Sequence, residues 1–209
     1  MKKERYIFDL DGTLLTCDYG TVEDEFFGKV LGEDSDRFVK NIAKLLDEYE
    51  YTHKRYEEED LCRFLSEKTN LSFNKKIIDG WTEVMTEVPD IMEPHVIEVL
   101  EDLKRKDKSL VVLTNWFGNS QIARLKKAGL YDYFDDVFTE EYQLKPHKEA
   151  YLRAIGDYDI EKCILIGDNL HKDYIAPRSF GLDSVYYDRY EKEHNNIVKV
   201  KKLNEIIKK

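Results

Sequence analysis

The sequence has no apolar run near the ~18 residues that a membrane-crossing helix needs, and its mean hydropathy is -0.61. Its first residues, Met-Lys-Lys-Glu-Arg, lead directly into a strand-like stretch. They include none of the ~7–15 apolar residues of a signal region. Secretion and membrane association are therefore not expected. Cysteine is scarce: Cys17, Cys62 and Cys163 are odd in number and far apart. That excludes a disulfide framework and a cysteine-built zinc site, both of which need pairs or close spacings. Reduced thiols in a cytoplasmic protein are the expectation. Repeats and low-complexity segments are absent, and 42% hydrophobic with 12% aromatic residues is enough to build a core, so the chain is not a disordered one. A length of 209 residues fits one core with a modest insertion.

Charge is abundant but uneven. Charged residues make up 36%, against roughly 25% in ordinary soluble domains. Between Cys17 and Glu93 there are 20 acids and 10 bases, which accounts for the whole net charge of -10. Such a segment repels a phosphate backbone, so nucleic acid is not expected as a partner. It should also slow the capture of highly anionic small molecules, a penalty that salt relieves.

The hydrophobic rhythm changes along the chain. Residues 5–10 read as a short strand ended by Asp11-Gly12. Helical spacing then dominates to about residue 88. Phe38, Ile42, Leu45, Leu46 and Tyr49 share one helix face, and Ile77, Ile78, Trp81, Val84, Met85 and Val88 repeat the pattern. Shorter helices are expected at 23–31 and 58–68, with a capping box at Thr21 and Asp24 for the first and Asn74 as N-cap of the last helix. Pro89 and Pro94 bracket a linker. After it, helices expected at 95–106, 119–128, 148–155 and 173–180 alternate with strands at 109–114, 136–138, 163–166 and 184–187. Short apolar strands separated by helices predict an α/β fold, a doubly wound parallel sheet covered on both faces. The expected division is residues 1–16 and 92–209 as the α/β core and 17–91 as an inserted helical cap. Pro177 falls inside an expected helix, and residues 199–209 read as a surface helix or a frayed end.

Ligands in open α/β sheets bind beyond the carboxyl ends of the strands. The residues at those ends are Asp9 and Asp11, then Thr114 and Asn115, then Gly167-Asp168, with Lys145 and Asp173 in nearby loops. Asp9 and Asp11, two apart in an extended segment, point to the same side. Three or four carboxylates converging with one lysine need a cation to neutralise them. Oxygen ligands without His or Cys point to Mg²⁺.

Phe8-Asp9-Leu-Asp11-Gly12-Thr13-Leu14, Leu113-Thr114-Asn115, Lys145-Pro146 and Gly167-Asp168-Asn-Leu-His-Lys-Asp173 resemble, in order, the four motifs of the haloacid dehalogenase (HAD) superfamily. Only 31 positions separate Thr114 from Lys145, so the insertion after the first motif resembles the family's helical cap of the first type. The resemblance implies a phosphatase that hydrolyses a small phosphorylated metabolite. Asp9 would be the nucleophile, forming an aspartyl-phosphate, and Asp11 the general acid and base. To donate a proton near neutrality, Asp11 would need a pKa raised above the usual ~3.9 by its carboxylate neighbours. Gly12, Thr114, Asn115 and Lys145 would bind the phosphoryl group, and Asp9, Asp11 (through its backbone carbonyl), Asp168 and Asp173 would hold Mg²⁺.

An acid at position 11 favours a phosphate ester over a halide or phosphonate substrate within this family. Two other readings stay open: a sugar phosphomutase, and a receiver-like signalling module with a similar acidic cluster. Lys54 or Arg55, in the run Tyr49, Tyr51, His53, Lys54, Arg55, Tyr56, is a candidate reader of a second anionic group. Trp116 and Phe117 either line the entrance or pack, and His171 is expected to be an exposed loop residue.

Overall fold

A computed structural model describes residues 2–190 and 197–207. β1 (Arg5–Phe8) is the centre of a six-stranded, wholly parallel sheet. It lies between β4 (Ser109–Leu113) and β6 (Cys163–Gly167); β5 (Asp136–Phe138) adds beyond β4, and β7 (Asp183–Tyr187) and β8 (Lys199–Val200) add beyond β6. Ile7 pairs with Val111 on one side and Leu165 on the other. Successive side chains leave opposite faces of a strand. Ile7, Val111 and Leu165 accordingly pack with Ala150, Tyr151, Ala154 and Ile155 of α8 (Lys148–Ile155). Phe8, Leu110 and Val112 pack on the other face with Val99, Leu100 and Leu103 of α6 (Val96–Arg105) and Leu125 of α7 (Gly118–Lys127). Burial on both faces is why these strands carry no hydrophobic alternation, and the doubly wound α/β expectation holds.

Between β1 and β4 the chain makes β2 (Leu15–Thr16), then α1 (Tyr19–Leu31), α2 (Ser35–Val39), α3 (Ile42–Thr52), α4 (Glu58–Thr69), α5 (Lys75–Thr86) and β3 (Ile91–Met92). These helices enclose their own apolar cluster. Phe27 sits 4.6–5.1 Å, ring centre to ring centre, from Phe26, Phe38 and Trp81. The cluster reaches the loops of the sheet through Trp116 and Leu144; Trp81 and Trp116 are 4.6 Å apart.

Local chemistry accounts for several departures from the expected elements. α1 begins at Tyr19 and not at residue 23, because the Asp18 carboxylate accepts the Thr21 N–H at 3.2 Å and caps it; Thr21 and Asp24 form no capping box. Asn74 caps α5 as expected. The face from Phe38 to Tyr49 is broken at Lys40-Asn41 into α2 and α3. The linker bracketed by Pro89 and Pro94 contains β3, paired antiparallel with β2 (Leu15 with Met92, Thr16 with Ile91), so both connections to the helices run side by side. Two-residue strands are too short to leave a periodic signal. The segment from Lys199 is not a surface helix: β8 extends the sheet and Leu203 is buried, while residues 208–209 lie outside the described residues. The helix expected at 173–180 starts earlier, as a π-helical turn Leu170–Ile175 that runs into the short α9 (Ala176–Arg178), with Pro177 as the second residue of α9.

Replacing Phe27, fully buried, by alanine removes the centre of the helical cluster. Phe27→Ala should lower unfolding free energy by about 3–5 kcal/mol in urea denaturation. A loss under about 1 kcal/mol would mean that this packing is not formed.

Candidate active site

The carboxyl ends of β1, β4 and β6 meet at one buried cluster. Asp9, 7% exposed, follows β1 directly. Oxygens of Asp9, Asp168 and Asp173 lie within 4.8 Å of one another. The Lys145 ammonium is 2.7 Å from Asp9 Oδ1 and 2.7 Å from Asp173 Oδ1. Burial pushes the Asp9 carboxyl well above the usual range; Lys145 opposes the rise, and Asp173 and Asp168 add to it. Asp168 is pushed up to about 7 by burial and by Asp173, against the pull of Arg189 and Lys145. Burial works against the charge on Lys145, but Asp173 and Asp9 outweigh it and raise its pKa.

The surrounding backbone is shaped to let these groups approach. Gly12 has φ +78°, and a Cβ there would lie 2.2 Å from Asp168 Oδ2; a Cβ on Gly167 would lie 2.3 Å from Asp173 Cγ. Both positions need a residue without a side chain. Thr114 is buried at the end of β4. The Asn115 side chain clamps the Lys145 backbone, donating to its carbonyl and accepting its N–H at 2.9 Å each. Asn115 thus holds Lys145 in place. Asn169 caps the π-helical turn, accepting the N–H groups of His171 and Lys172, while its own N–H donates to Asp173 at 3.0 Å.

Asp11 departs from the expected convergence of carboxylates. Its side chain turns toward α7, where it meets Arg124 at 2.6 Å, Gln121 Nε2 at 2.6 Å and the Tyr19 hydroxyl at 2.7 Å. Arg124, 2% exposed, also grips Asp90 with Nε and Nη2 at 2.9 and 2.7 Å and donates to Gln121 and Tyr19. Gln121 in turn donates to Thr114 Oγ1 at 2.8 Å. The neighbours of Asp11 are therefore a guanidinium, an amide and a phenol, and the other aspartates do not touch it. The sequence reading missed Tyr19, Asp90, Gln121 and Arg124. The available signal was Gln121 and Arg124 one helical turn apart on the helix that leaves the Thr114-Asn115 strand end.

A cavity of about 300 Å³ separates this cluster from the helices. Asp9, Asp11, Thr114, Lys145 and Asp168 form its floor, and Ile42, Leu46, Tyr56, Trp81 and Met85 line its helical wall. Trp116 does both things expected of it, lining the cavity and packing on Trp81, whereas Phe117 packs. Lys54 and Arg55 are exposed and do not line the cavity; from that turn only Tyr56 does. The turn serves instead as an anchor. The Leu144 N–H donates to the Lys54 carbonyl at 2.8 Å, and His147 Nε2 donates to the carbonyls of Glu50 and His53 at 2.9 Å. Lys172 adds ion pairs to Asp47 and Glu50 of α3; His171 is exposed, as expected, but lies in the π-helical turn and not in a loop, and it meets the Tyr51 hydroxyl.

The profile of the haloacid dehalogenase-like hydrolase family matches residues 4–181. The chain belongs to this family. Pyrimidine 5'-nucleotidase YjjG of Escherichia coli is 25% identical over 213 residues, covering 92% of this chain and 89% of YjjG. The ribulose-1,5-bisphosphate 5-phosphatase of Halopiger xanaduensis is 30% identical over 116 residues, covering 54% of this chain and 46% of that protein. The chain spans about half the length of this relative, of the pyrimidine 5'-nucleotidase PynA of Streptococcus pneumoniae and of the glyceraldehyde 3-phosphate phosphatase of Methanocaldococcus jannaschii. Among solved structures, the HAD-hydrolase YfnB of Bacillus subtilis bound to magnesium superposes with a TM-score of 0.75 at 20% identity, covering 100% of this chain and 98% of that one. L-2-haloacid dehalogenase of Xanthobacter autotrophicus gives 0.74 at 15% identity, with 99% and 97% covered. At such identities the likeness is one of fold. Membership of this HAD family, with an Asp-x-Asp pair after the first strand, stands against the receiver-like alternative.

Removing the Arg124 fork leaves Asp90, its side chain 9% exposed, without its cation. Arg124→Ala should therefore lower stability by about 3–5 kcal/mol in urea unfolding, and Arg124→Lys should recover only part of it, because a point charge cannot make the paired contacts. An unchanged midpoint for Arg124→Ala would show that the network is not formed.

Proposed function

We propose that this HAD-family chain is a Mg²⁺-dependent phosphatase of small phosphate monoesters, working through an aspartyl-phosphate on Asp9. The observation that carries the reading is the Asp9–Lys145–Asp173 contact beside Asp168. Three clustered carboxylates stand against one ammonium, which pairs with two of them, so negative charge is in excess by two, the complement of a divalent cation. The donor set is oxygen alone, which fits Mg²⁺. Asp9, Asp168 and Asp173 would hold the ion, with Asp11 contributing its backbone carbonyl. When bound, Mg²⁺ would offset charge between the carboxylates and the phosphoryl oxygens.

The chain's own groups then divide the work. Lys145 draws the phosphoryl group against Asp9 by pairing with its oxygens, and Thr114 and the N–H groups around Gly12 supply further donors. An Asp9 oxygen attacks phosphorus, and the bond from phosphorus to the ester oxygen breaks as that departing alkoxide oxygen takes a proton from Asp11, leaving as the alcohol. Asp11 then removes a proton from water, which attacks phosphorus, releases phosphate and frees the Asp9 carboxylate. Asn115 positions Lys145; Arg124, Gln121 and Tyr19, which donate to both Asp11 oxygens, position it to take the proton from water, and to give a proton to the leaving oxygen it must first turn from one of these donors. Residues 17–91 act as a cap over the core formed by 1–16 and 92–209, and exclude water from the reaction. Phosphatase names among the relatives support the same reading. A cytoplasmic setting fits three free cysteines, and among the described residues no helix is long and apolar enough to cross a membrane. Nucleic acid is not among the proposed partners, given the acidity of the cap.

A phosphate-ester screen with Mg²⁺ tests the activity. Wild type should turn over at least one ester, and Asp9→Asn should lose about 10³-fold or more of the rate. Activity that survives in Asp9→Asn would overturn the assignment. The metal has a separate readout. Mg²⁺ should raise the melting temperature, more at pH 8 than at pH 5, because Asp168, pushed up to about 7, is charged only in the upper range. Asp168→Asn should abolish that rise; a Mg²⁺ effect that is the same in this variant would rule out the cluster as the site.

A further inference from the structure

Glu23 stands on the inner side of α1, 7% exposed, and lines the cavity from the helical wall. It is not part of the Asp9–Asp168–Asp173 cluster. The three cations that line the same cavity are already committed. Lys145 serves Asp9 and Asp173, Arg124 serves Asp11 and Asp90, and Lys172 serves Asp47 and Glu50. Among the described residues no cation pairs with Glu23. The nearest support is the Trp81 indole N–H, whose Nε1 is buried without a partner in hydrogen-bond geometry. Burial pushes the Glu23 carboxyl up to about 7, with Trp81 pulling the other way and Asp24 adding to the rise. Apolar and aromatic side chains line the cavity with it, among them Leu46, Trp81, Met85 and Trp116. A buried carboxylate supported this poorly costs free energy until a donor reaches it.

We propose that Glu23 selects the leaving group of the ester. It accepts a hydrogen bond from an N–H or O–H of the alcohol to be released, and it repels leaving groups that carry a second anion. This rests on the phosphatase reading. It also inverts the expectation attached to Lys54 and Arg55: from the helical side the cavity offers a substrate an acid where a phosphate or carboxylate reader would need a free base. A hydroxyl, an amide N–H and an ammonium all meet the requirement. The aromatic walls tolerate a planar base, and they attract an ammonium through their ring faces.

The test is a set of kcat/KM values at pH 8.5, where Glu23 is charged, for wild type, Glu23→Gln and Glu23→Ala. The probes are p-nitrophenyl phosphate, which has neither donor nor second charge; glycerol 1-phosphate, phosphoethanolamine and uridine 5'-monophosphate, the donor-bearing esters, which present donors and no second anionic group; and phosphoglycolate and ribulose 1,5-bisphosphate, the doubly anionic esters, which carry a second anionic group, in ribulose 1,5-bisphosphate beside hydroxyls. In wild type the best donor-bearing ester should exceed both doubly anionic esters by about tenfold or more. Relative to p-nitrophenyl phosphate, Glu23→Ala should lower that ester by about tenfold, mainly through KM, as loss of a hydrogen bond to a charged group requires. Glu23→Gln, which keeps an acceptor and removes the charge, should narrow the gap to phosphoglycolate. The inference is overturned if a doubly anionic ester equals or exceeds every donor-bearing one. It is equally overturned if the Glu23 variants leave the ratio to p-nitrophenyl phosphate unchanged, which is the signature of a purely structural acid. Turnover of p-nitrophenyl phosphate keeps the phosphatase reading intact in either case; no turnover of any ester removes that reading and this one together.

Discussion

One ammonium shared by buried carboxylates governs the arrangement of this protein. Lys145 is 3% exposed and touches both Asp9 and Asp173. Taking these charges out of water costs several kcal/mol each, and is offset only where the partners are held in good geometry. The fold supplies that geometry by bringing the ends of three parallel strands to one place. β1 delivers Asp9 and β6 delivers Asp168, while the end of β4 delivers Asn115, which clamps the Lys145 backbone. Gly12 and Gly167 leave room for the Asp168 and Asp173 carboxylates where any Cβ would collide. The cluster retains more negative than positive charge, which gives a divalent cation and a phosphoryl group their places in the proposed reaction.

A second guanidinium-centred network joins this cluster to the helices. Arg124 binds Asp11 and Tyr19 near the outgoing connection and Asp90 on the returning one, next to β3. The β2–β3 pairing holds the two connections together. On the opposite side, Lys172 and His147 join the far end of α3 to the loops around Lys145 and Asp168. The helical layer is thereby fastened to the sheet's loops at two places, and the cations that do the fastening are spent on protein carboxylates. Glu23 inherits the role of polar contact on the helical wall for that reason.

How much of this was legible in the sequence follows from range and periodicity. β1, β4 and β6 are apolar runs cut off by polar residues, and the helices between them keep a 3.6-residue rhythm, so a parallel doubly wound sheet could be read directly. Asp9, Asp168, Asp173 and Lys145 were legible because strand ends of such sheets converge. Asp11 was placed correctly in the chain and wrongly in its surroundings: nothing local shows that a guanidinium more than a hundred residues later would claim it. Lys54 and Arg55 looked like anion readers because two bases stand among aromatics, yet the turn is fixed through its backbone carbonyls, which carry no sequence signature. Glu23 was hidden among the acids of the cap. Only its tertiary burial separates it from Asp24 and Glu25 beside it.

The covalent role proposed for Asp9 is the most direct point of attack. Wild-type protein with Mg²⁺ and an ester bearing a labelled phosphoryl group should be quenched in acid within the first turnover, digested, and the label mapped. The account predicts label on the peptide that contains Asp9, lost on treatment with base or hydroxylamine as an acyl phosphate requires. Steady turnover of the ester with the label fixed to another residue would contradict it.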